Sequence, residues 1–252
     1  MRLVIAGYAV IAYACFLLSA AWAAVFLVRG DGPATRPAAA ALAIDGALLL
    51  AFAVQHTVMA RAWFKRRVPA PVERSTYVLA SALVLFAIFG LWQPVPAVIW
   101  RVGEPFAAAV RVVFAAGWVL VVWSTFAVDH ADFLGLKQAW THLRRRAYRE
   151  PGFVRGGLYA LVRHPMMLGL AITFWATPRM SAGHLFFAAA ASGYILVGIR
   201  FEERDLRARF GAEYDDYARR GRRVGAPTPP TPAPPNRDHP PRTRRPPDST
   251  GG

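Results

Sequence analysis

The composition of this chain is that of a membrane protein with strongly basic loops. It has 252 residues, 55% of them hydrophobic, and a net charge of +15. Its apolar runs approach the roughly 20 residues that a membrane-spanning helix needs, which argues against a soluble globular domain. The basic residues are scattered over several loops without a recognition motif, so nucleic acid is not an expected partner. The single cysteine, Cys15, excludes an internal disulfide and has no second thiolate with which to share a metal.

The first apolar run covers residues 3–28 and can be interpreted either as a membrane helix or as a signal peptide. Arg2 supplies a positive start, and Ala21-Trp22-Ala23 has the small-residue spacing of a cleavage site. The apolar region is, however, longer than the usual 7–15 residues of a signal peptide. We therefore expect a retained membrane helix.

Further apolar runs predict an all-α integral membrane protein with five to six transmembrane helices. The predicted spans after the first are residues 38–60, 77–92, 106–128, 161–177 and 182–199. The last two form a C-terminal helical hairpin that turns at Pro178-Arg179-Met180-Ser181. The run 161–177 is short and has a proline near its start, which can tilt or break a helix. A count of five spans, with the hairpin entering only partly, therefore stays open.

Loop charge predicts the orientation of these spans. Loops 61–76 and 129–160 and the segment after residue 200 are strongly basic, whereas the alternate loops carry few arginines. Because basic loops stay in the cytoplasm, both termini are expected there, at a bacterial inner membrane. Residues 1–223 form one membrane domain in this scheme. Residues 224–252, rich in proline and arginine, are expected to be a disordered cytoplasmic tail.

A first polar cluster, Arg163-His164-Pro165, stands at the start of the hairpin. Pro165 is a good first-turn residue and biases His164 away from helical backbone angles. The free N–H groups of a helix start favour an anion or a carboxylate. Gly169 allows a ligand or another helix to approach closely. An ordinary interfacial turn explains the cluster equally well from these residues alone.

The second cluster, Glu202-Glu203, ends the hairpin. Neighbouring helical residues point about 100° apart, so one carboxylate can face a site while the other pairs on the surface. A solvated exit helix with a Glu203–Arg207 pair is an even alternative. Ionisable groups at a membrane boundary are costly, which makes both clusters functional candidates.

Two weaker candidates precede the hairpin. Asp129, His130 and Asp132 follow the fourth span at a spacing that does not favour a metal, so we expect no metal site. A polar pocket wall is the better interpretation, with His130 as a possible proton acceptor. At the end of the second span, Gln55-His56 favours a buried histidine satisfied by a neighbouring helix.

The two clusters, followed by Phe210-Gly211, Tyr214 and Tyr217, resemble the membrane methyltransferases of the isoprenylcysteine carboxyl methyltransferase type. The segments 54–61, 72–79 and 129–138 are similar to the nurim-like branch of that family. The resemblance covers about residues 3–220. It implies a cytoplasmic cofactor site and methyl transfer from S-adenosylmethionine to methanethiol, which gives dimethyl sulfide. The implied partners are a small thiol and the lipid bilayer, with no obligate protein partner.

The resemblance also implies site residues. Those expected to bind the cofactor are Tyr159, Arg163, His164, Met167, Gly169, Glu202 and Glu203. Met167 stands where the family usually has tyrosine, so a hydrogen bond to the cofactor is missing there.

The acceptor site is expected at the end of the fourth span. Residues proposed to bind the thiol are Asp132, Gln138, Phe126 and Trp175, with Phe133 and Trp140 completing an apolar lining. His130 or Asp129 would accept the thiol proton, since a thiolate attacks and a thiol does not. A larger acceptor, such as a prenylated cysteine or a lipid, and a non-enzymatic nurim-like protein remain as alternatives.

Overall fold

The computed structural model describes residues 1–149, Tyr159 and residues 162–220, the last with no side-chain placement at 213, 216, 219 and 220. Within these residues five helices are long and apolar enough to cross a membrane. The prediction of a helical membrane protein is therefore confirmed. The predicted tail at 224–252 lies outside the described residues.

The elements follow one another in a simple order. They are α1 (Arg2–Arg29), α2 (Ala38–Ala60), α3 (Ala62–Lys65), a 3₁₀ turn (Ala70–Val72), α4 (Glu73–Leu91), β1 (Val98–Arg101), α5 (Phe106–Val128), α6 (His130–Phe133), α7 (Leu136–Leu143), α8 (Pro165–Trp175), β2 (Arg179–Ser181), α9 (Ala182–Phe210) and α10 (Ala212–Arg220). The five long helices are α1, α2, α4 with its preceding turn, α5 and α9.

Side-chain contacts fix the directions of the long helices. Tyr8 donates a hydrogen bond to Thr76, and Trp22 packs against Phe86, so α1 and α4 run parallel. On α2 and α9, Gly46 lies beside Phe186 and His56 contacts Tyr194, so these helices are also parallel. The short elements α3, α6 and α7 consequently gather with the start of α8 at one end of the bundle, which we call the basic face.

The core of the bundle lies nearer the other end, which we call the opposite face. Leu27, Ile88, Phe89 and Phe187 form a buried cluster against which Phe26, Trp92 and Phe174 pack. Leu18 and Val119 are instead 62% exposed. Apolar side chains that point outward on long helices are typical of a lipid-facing surface.

The hairpin differs from its prediction in three ways. Helix α8 has 11 residues and ends at Trp175, so it is shorter than the predicted span. Helix α9 extends to Phe210, well beyond the predicted end at 199. The predicted turn contains strand β2, which pairs antiparallel with β1, with Trp100 opposite Met180. The extra backbone hydrogen bonds tie the hairpin to the loop before α5 on the opposite face.

Close backbone contact joins α5 to α8. A Cβ built on Gly169 would lie 2.8 Å from the Gly117 carbonyl oxygen and 2.9 Å from Val121 Cγ2. A Cβ on Gly117 would meet Thr173 Cγ2 at 2.9 Å. Small residues of this kind let membrane helices approach through their backbones. Of the two uses foreseen for Gly169, the structure shows the approach of another helix.

Replacing Gly169 by alanine is expected to destabilise the protein by about 1–3 kcal/mol, because the added methyl must push α8 away from backbone atoms. Thermal unfolding in detergent, followed by tryptophan fluorescence, measures the effect. Gly193→Ala is the matched control, since no heavy atom lies within 4 Å of a Cβ built there. Equal melting temperatures for the two variants would contradict the tight α5–α8 contact.

Candidate functional site

The two polar clusters at the ends of the hairpin meet on the basic face. Arg163 Nη1 donates to Glu203 Oε1 at 2.8 Å. His164 lies between both carboxylates, with Nδ1 3.4 Å from Glu202 and Nε2 3.5 Å from Glu203. Pro165 begins α8, and His164 precedes it with non-helical backbone angles. The chain therefore turns into the membrane with both basic side chains directed at α9.

The adjacent carboxylates have different surroundings. Glu203 is 17% exposed and also pairs with Arg207 one helical turn later, at 3.6 Å. Glu202 is 47% exposed. Glu203 therefore forms the predicted surface pair and also contacts the hairpin mouth, because Oε2 pairs with Arg207 and Oε1 with Arg163. Glu202 is the carboxylate with room for a ligand.

This arrangement favours the charged form of His164. Burial lowers the pKa of His164, but the hydrogen bonds and negative charges of Glu202 and Glu203 outweigh it, so the pKa of His164 is raised. The mouth of the hairpin thus brings Arg163, a histidine whose charged form is favoured and two carboxylates within a few ångströms.

The raised pKa of His164 predicts a pH-dependent stability. Its contribution is fully present below the ordinary histidine pKa of about 6.5 and is lost as the pH rises through the raised value. The difference in melting temperature between the unchanged protein and His164→Gln should therefore shrink from about pH 6 to about pH 9. A difference that is constant or grows over this range would show that the carboxylates do not hold the imidazolium.

Two tyrosines of α10, the helix that follows α9, contact residues around this cluster. Tyr217 donates its hydroxyl to the carbonyl of Tyr159 at 2.6 Å. Tyr214 is 1% exposed and its ring lies 5.6 Å from the Arg207 guanidinium. Burial, followed by the charge of Glu202, raises the pKa of Tyr159. Tyr159 therefore stands beside the cluster, as its predicted role requires.

The remaining predicted cofactor residues lie on α8. Met167 is partly buried in the first turn of the helix, close in sequence to the cluster. Gly169 is buried and faces α5. A direct contact of Gly169 with a cofactor is therefore not supported, because helix α5 occupies the space beside it.

Asp129 caps α6 and has a structural role. Its backbone is left-handed, with φ 88°, and Oδ1 accepts from the Asp132 N–H at 3.1 Å. Oδ2 pairs with Lys137, and this hydrogen bond lowers the pKa of Asp129. A carboxylate with a lowered pKa binds a thiol proton weakly, so the predicted role of Asp129 as proton acceptor is not supported.

His130 is also fully engaged by hydrogen bonds. The hydroxyl of Thr125 lies 2.7 Å from the Val122 carbonyl and 2.8 Å from His130 Nδ1. The other ring nitrogen, Nε2, contacts the Tyr13 hydroxyl at 3.1 Å. The ring stacks on Phe126, with centroids 4.4 Å apart. These partners occupy both ring nitrogens of His130.

Asp132 and Gln138 join the loop 129–149 to α4. Asp132 is 1% exposed and accepts from the Tyr148 hydroxyl at 2.6 Å. Arg74 Nη1 lies 2.8 Å from Asp132 Oδ2 as an ion pair and donates to the Asp132 carbonyl at 3.2 Å. Gln138 Oε1 accepts from the Arg74 N–H at 3.1 Å. Gln138 and Tyr148 also line a cavity of about 170 Å³ on the basic face.

The aromatic residues predicted to line one thiol pocket are not brought together. Phe126 and Trp140 are 62% and 53% exposed, and Arg144 covers the Trp140 ring. Trp175 donates to Ser192 at 2.9 Å from the far end of α8. Because α5 and α8 are antiparallel, the end of α5 meets the start of α8. The helix rise places Trp175, at the other end of α8, about 16 Å from this meeting point. The structure therefore separates Trp175 from the end of α5, where Phe126 lies.

The prediction for His56 is confirmed. Both of its ring nitrogens contact hydroxyls of neighbouring helices, Tyr77 on α4 and Tyr194 on α9. Across the described ranges, no three His, Cys, Asp or Glu side chains converge as metal ligands.

Comparisons with known proteins give a consistent result. The methanethiol S-methyltransferase of Mycobacterium tuberculosis is 44% identical over 223 residues, which is 84% of this chain and 91% of that protein. Methanethiol S-methyltransferase 2 of Bradyrhizobium diazoefficiens is 42% identical over 87% of this chain and 88% of that protein. Pig nurim is 32% identical over 66% of this chain and 68% of that protein. No family model and no solved structure matches. With this identity over 84% and 87% of its length, the chain belongs to the methanethiol S-methyltransferase family, whose members are thiol S-methyltransferases.

Proposed function

We propose that this membrane protein transfers a methyl group from S-adenosylmethionine to methanethiol and releases dimethyl sulfide. The observation that carries the proposal is the meeting of Arg163, His164, Glu202 and Glu203 at the mouth of α8. It supplies charges of both signs at the boundary of a membrane domain whose relatives are named for this reaction.

The donor set fits the chemistry of S-adenosylmethionine. Arg163 and the start of α8, which lacks a side-chain cap, suit the carboxylate of its amino-acid end. Glu202, the more exposed carboxylate, suits the ammonium group or the ribose hydroxyls. When bound, the sulfonium compound supplies an electrophilic methyl group.

The protein's part in the reaction is alignment and activation of the thiol. Methyl transfer is an in-line displacement, so most of the rate comes from holding the sulfur nucleophile opposite the leaving sulfur. A small apolar thiol partitions into lipid and can reach the site between the helices. The thiol proton must leave, because the thiolate is the nucleophile.

Loop charge supports a cytoplasmic basic face. The clusters Arg61–Arg67 and Arg144–Arg146 lie on this face, whereas few basic residues lie on the opposite one. With Arg2 also on this side, both ends of the described chain lie in the cytoplasm of a bacterium, where S-adenosylmethionine is available, and the helices cross its inner membrane.

The test is direct. Purified protein in detergent is incubated with S-adenosylmethionine and methanethiol, and headspace dimethyl sulfide is quantified. We expect product from the unchanged protein, little from His164→Ala or Glu203→Ala, and unreduced product from Glu104→Ala, whose carboxylate is 60% exposed on the opposite face. If the cofactor binds but methanethiol is not methylated, the acceptor is a different one, and a prenylated cysteine is then assayed. Absence of both binding and product would contradict the proposal.

A further inference from the structure

A chain of hydroxyl and imidazole groups crosses three helices inside the membrane domain. His56 on α2 contacts Tyr77 of α4 through Nε2 and Tyr194 of α9 through Nδ1, the latter at 2.9 Å. The Tyr194 hydroxyl also lies 3.2 Å from Thr57 Oγ1. Phe52 stacks on the imidazole, with centroids 5.1 Å apart. Ionisable groups at such a depth are costly and therefore mark functional sites.

The hydrogen bonds of this chain can run in either direction. In one direction the Tyr77 hydroxyl donates to His56 Nε2, Nδ1–H donates to Tyr194, and Tyr194 donates to Thr57. In the other direction every bond is reversed, and Tyr194 donates to Nδ1. Reversal moves one proton along the chain without creating charge. His130 also lies between two hydroxyls, but that of Thr125 has the Val122 carbonyl as a second acceptor.

This hydrogen-bonded chain shares its helices with residues next to both predicted sites, the thiol site and the cofactor site. Tyr77 lies one helical turn after Arg74, the partner of Asp132 and Gln138. Tyr194 lies two turns before Glu202 on the same helix, about 12 Å deeper in the membrane. His56, between two tyrosine hydroxyls, thus lies on the membrane side of the mouth of α8, from which a thiol would arrive.

We infer that His56 accepts the proton of the thiol substrate through the hydroxyl of Tyr194. The thiol S–H bond breaks as its sulfur forms the new S–C bond, and the electron pair of the donor's C–S bond stays on the departing sulfur. The thiol proton moves to Tyr194 Oη while the Tyr194 proton moves to His56 Nδ1. Nε2–H then donates to Tyr77, so both N–H groups of the imidazolium have a phenol acceptor.

This step keeps the charge of the buried site constant. One positive charge disappears with the sulfonium and one appears on the imidazolium. In a low-dielectric region, separating new charges is costly, so this exchange lowers the barrier. The Tyr77 hydroxyl accepts a hydrogen bond from the imidazolium. The inference rests on the proposed function, since it assumes a thiol acceptor.

The test compares two thiols of different acidity. His56→Gln should lower methylation of methanethiol by about 10²–10⁴-fold. With trifluoroethanethiol, a more acidic thiol that ionises more readily, the methylation rate of His56→Gln should fall by less than about tenfold. Tyr194→Phe, which keeps the ring, should show the same split. Affinity for S-adenosylmethionine, measured by calorimetry, should be unchanged in both variants.

Two histidine variants complete the experiment. His184→Gln, which removes an imidazole bonded to the Phe174 carbonyl near the opposite end of α9, should leave the ratio of the two rates unchanged. A split that appears in His130→Gln and not in His56→Gln, or an equal loss for both thiols in His56→Gln and Tyr194→Phe with donor affinity intact, overturns the inference alone. No product from the unchanged protein with either thiol overturns the proposed function as well.

Discussion

Replacing Glu203 by glutamine is expected to remove most of the affinity for the methyl donor. Glu203 holds Arg163 at 2.8 Å, His164 at 3.5 Å and Arg207 at 3.6 Å. Without its charge, Arg163 and Arg207 lose the carboxylate that they share, His164 keeps only Glu202, and the mouth of α8 loses its geometry. Truncating one member of such a partly buried charge pair costs roughly 2–5 kcal/mol of binding free energy, or about 30-fold to a few thousand-fold in Kd.

Calorimetric titration of S-adenosylmethionine into the detergent-solubilised variant measures this loss. Glu73→Gln is the matched control, because Glu73 pairs with Lys65 at 3.7 Å on the same face but outside the cluster. A surface pair of that kind contributes about 0–1 kcal/mol, so donor affinity should stay the same. Equal affinities for the two variants would place the donor elsewhere.

The second large effect is expected at Asp132. Asp132→Ala leaves Arg74 without its ion-pair partner and removes the acceptor of the Tyr148 hydroxyl. Breaking a buried pair costs about 3–5 kcal/mol, and the lower end applies because Arg74 keeps some contact with water. Loop 129–149 should then detach from α4 before the rest of the bundle unfolds.

Limited proteolysis and thermal unfolding in detergent both report on this change. Asp205→Ala, at an exposed position of α9, is the control and should alter neither. If Asp132→Ala unfolds like the unchanged protein and loop 129–149 stays resistant to protease, the ion pair does not hold the loop.

The sequence was a reliable guide to the membrane spans because hydropathy is a local property. Residues 38–60 and 106–128 form helices with those bounds, as predicted. The last predicted span ended at residue 199 because hydropathy falls near Arg200, whereas in the structure the span and the exit helix foreseen around Glu203 are one continuous helix to Phe210. Strands β1 and β2 were missed because their pairing joins segments distant in sequence.

The site could be predicted in part for a similar reason. Arg163 and Glu203 meet because the hairpin between them returns the chain to the face at which it started, and spacing alone indicates this. The thiol pocket could not be predicted, since it depends on how α5 and α8 are rotated and aligned. His130 and His56 look alike in the sequence, and only the structure shows that His56 lies between two tyrosine hydroxyls whereas His130 contacts Tyr13 and Thr125.

The most direct measurement of the central claim follows the methyl group itself. The purified protein is incubated with methanethiol and with S-adenosylmethionine whose transferable methyl is fully deuterated, and the headspace is analysed by mass spectrometry. We expect dimethyl sulfide that carries one deuterated and one ordinary methyl group, and a much smaller amount of it from Glu203→Gln. Absence of labelled dimethyl sulfide from protein that binds the donor, or undiminished product from Glu203→Gln, would contradict it.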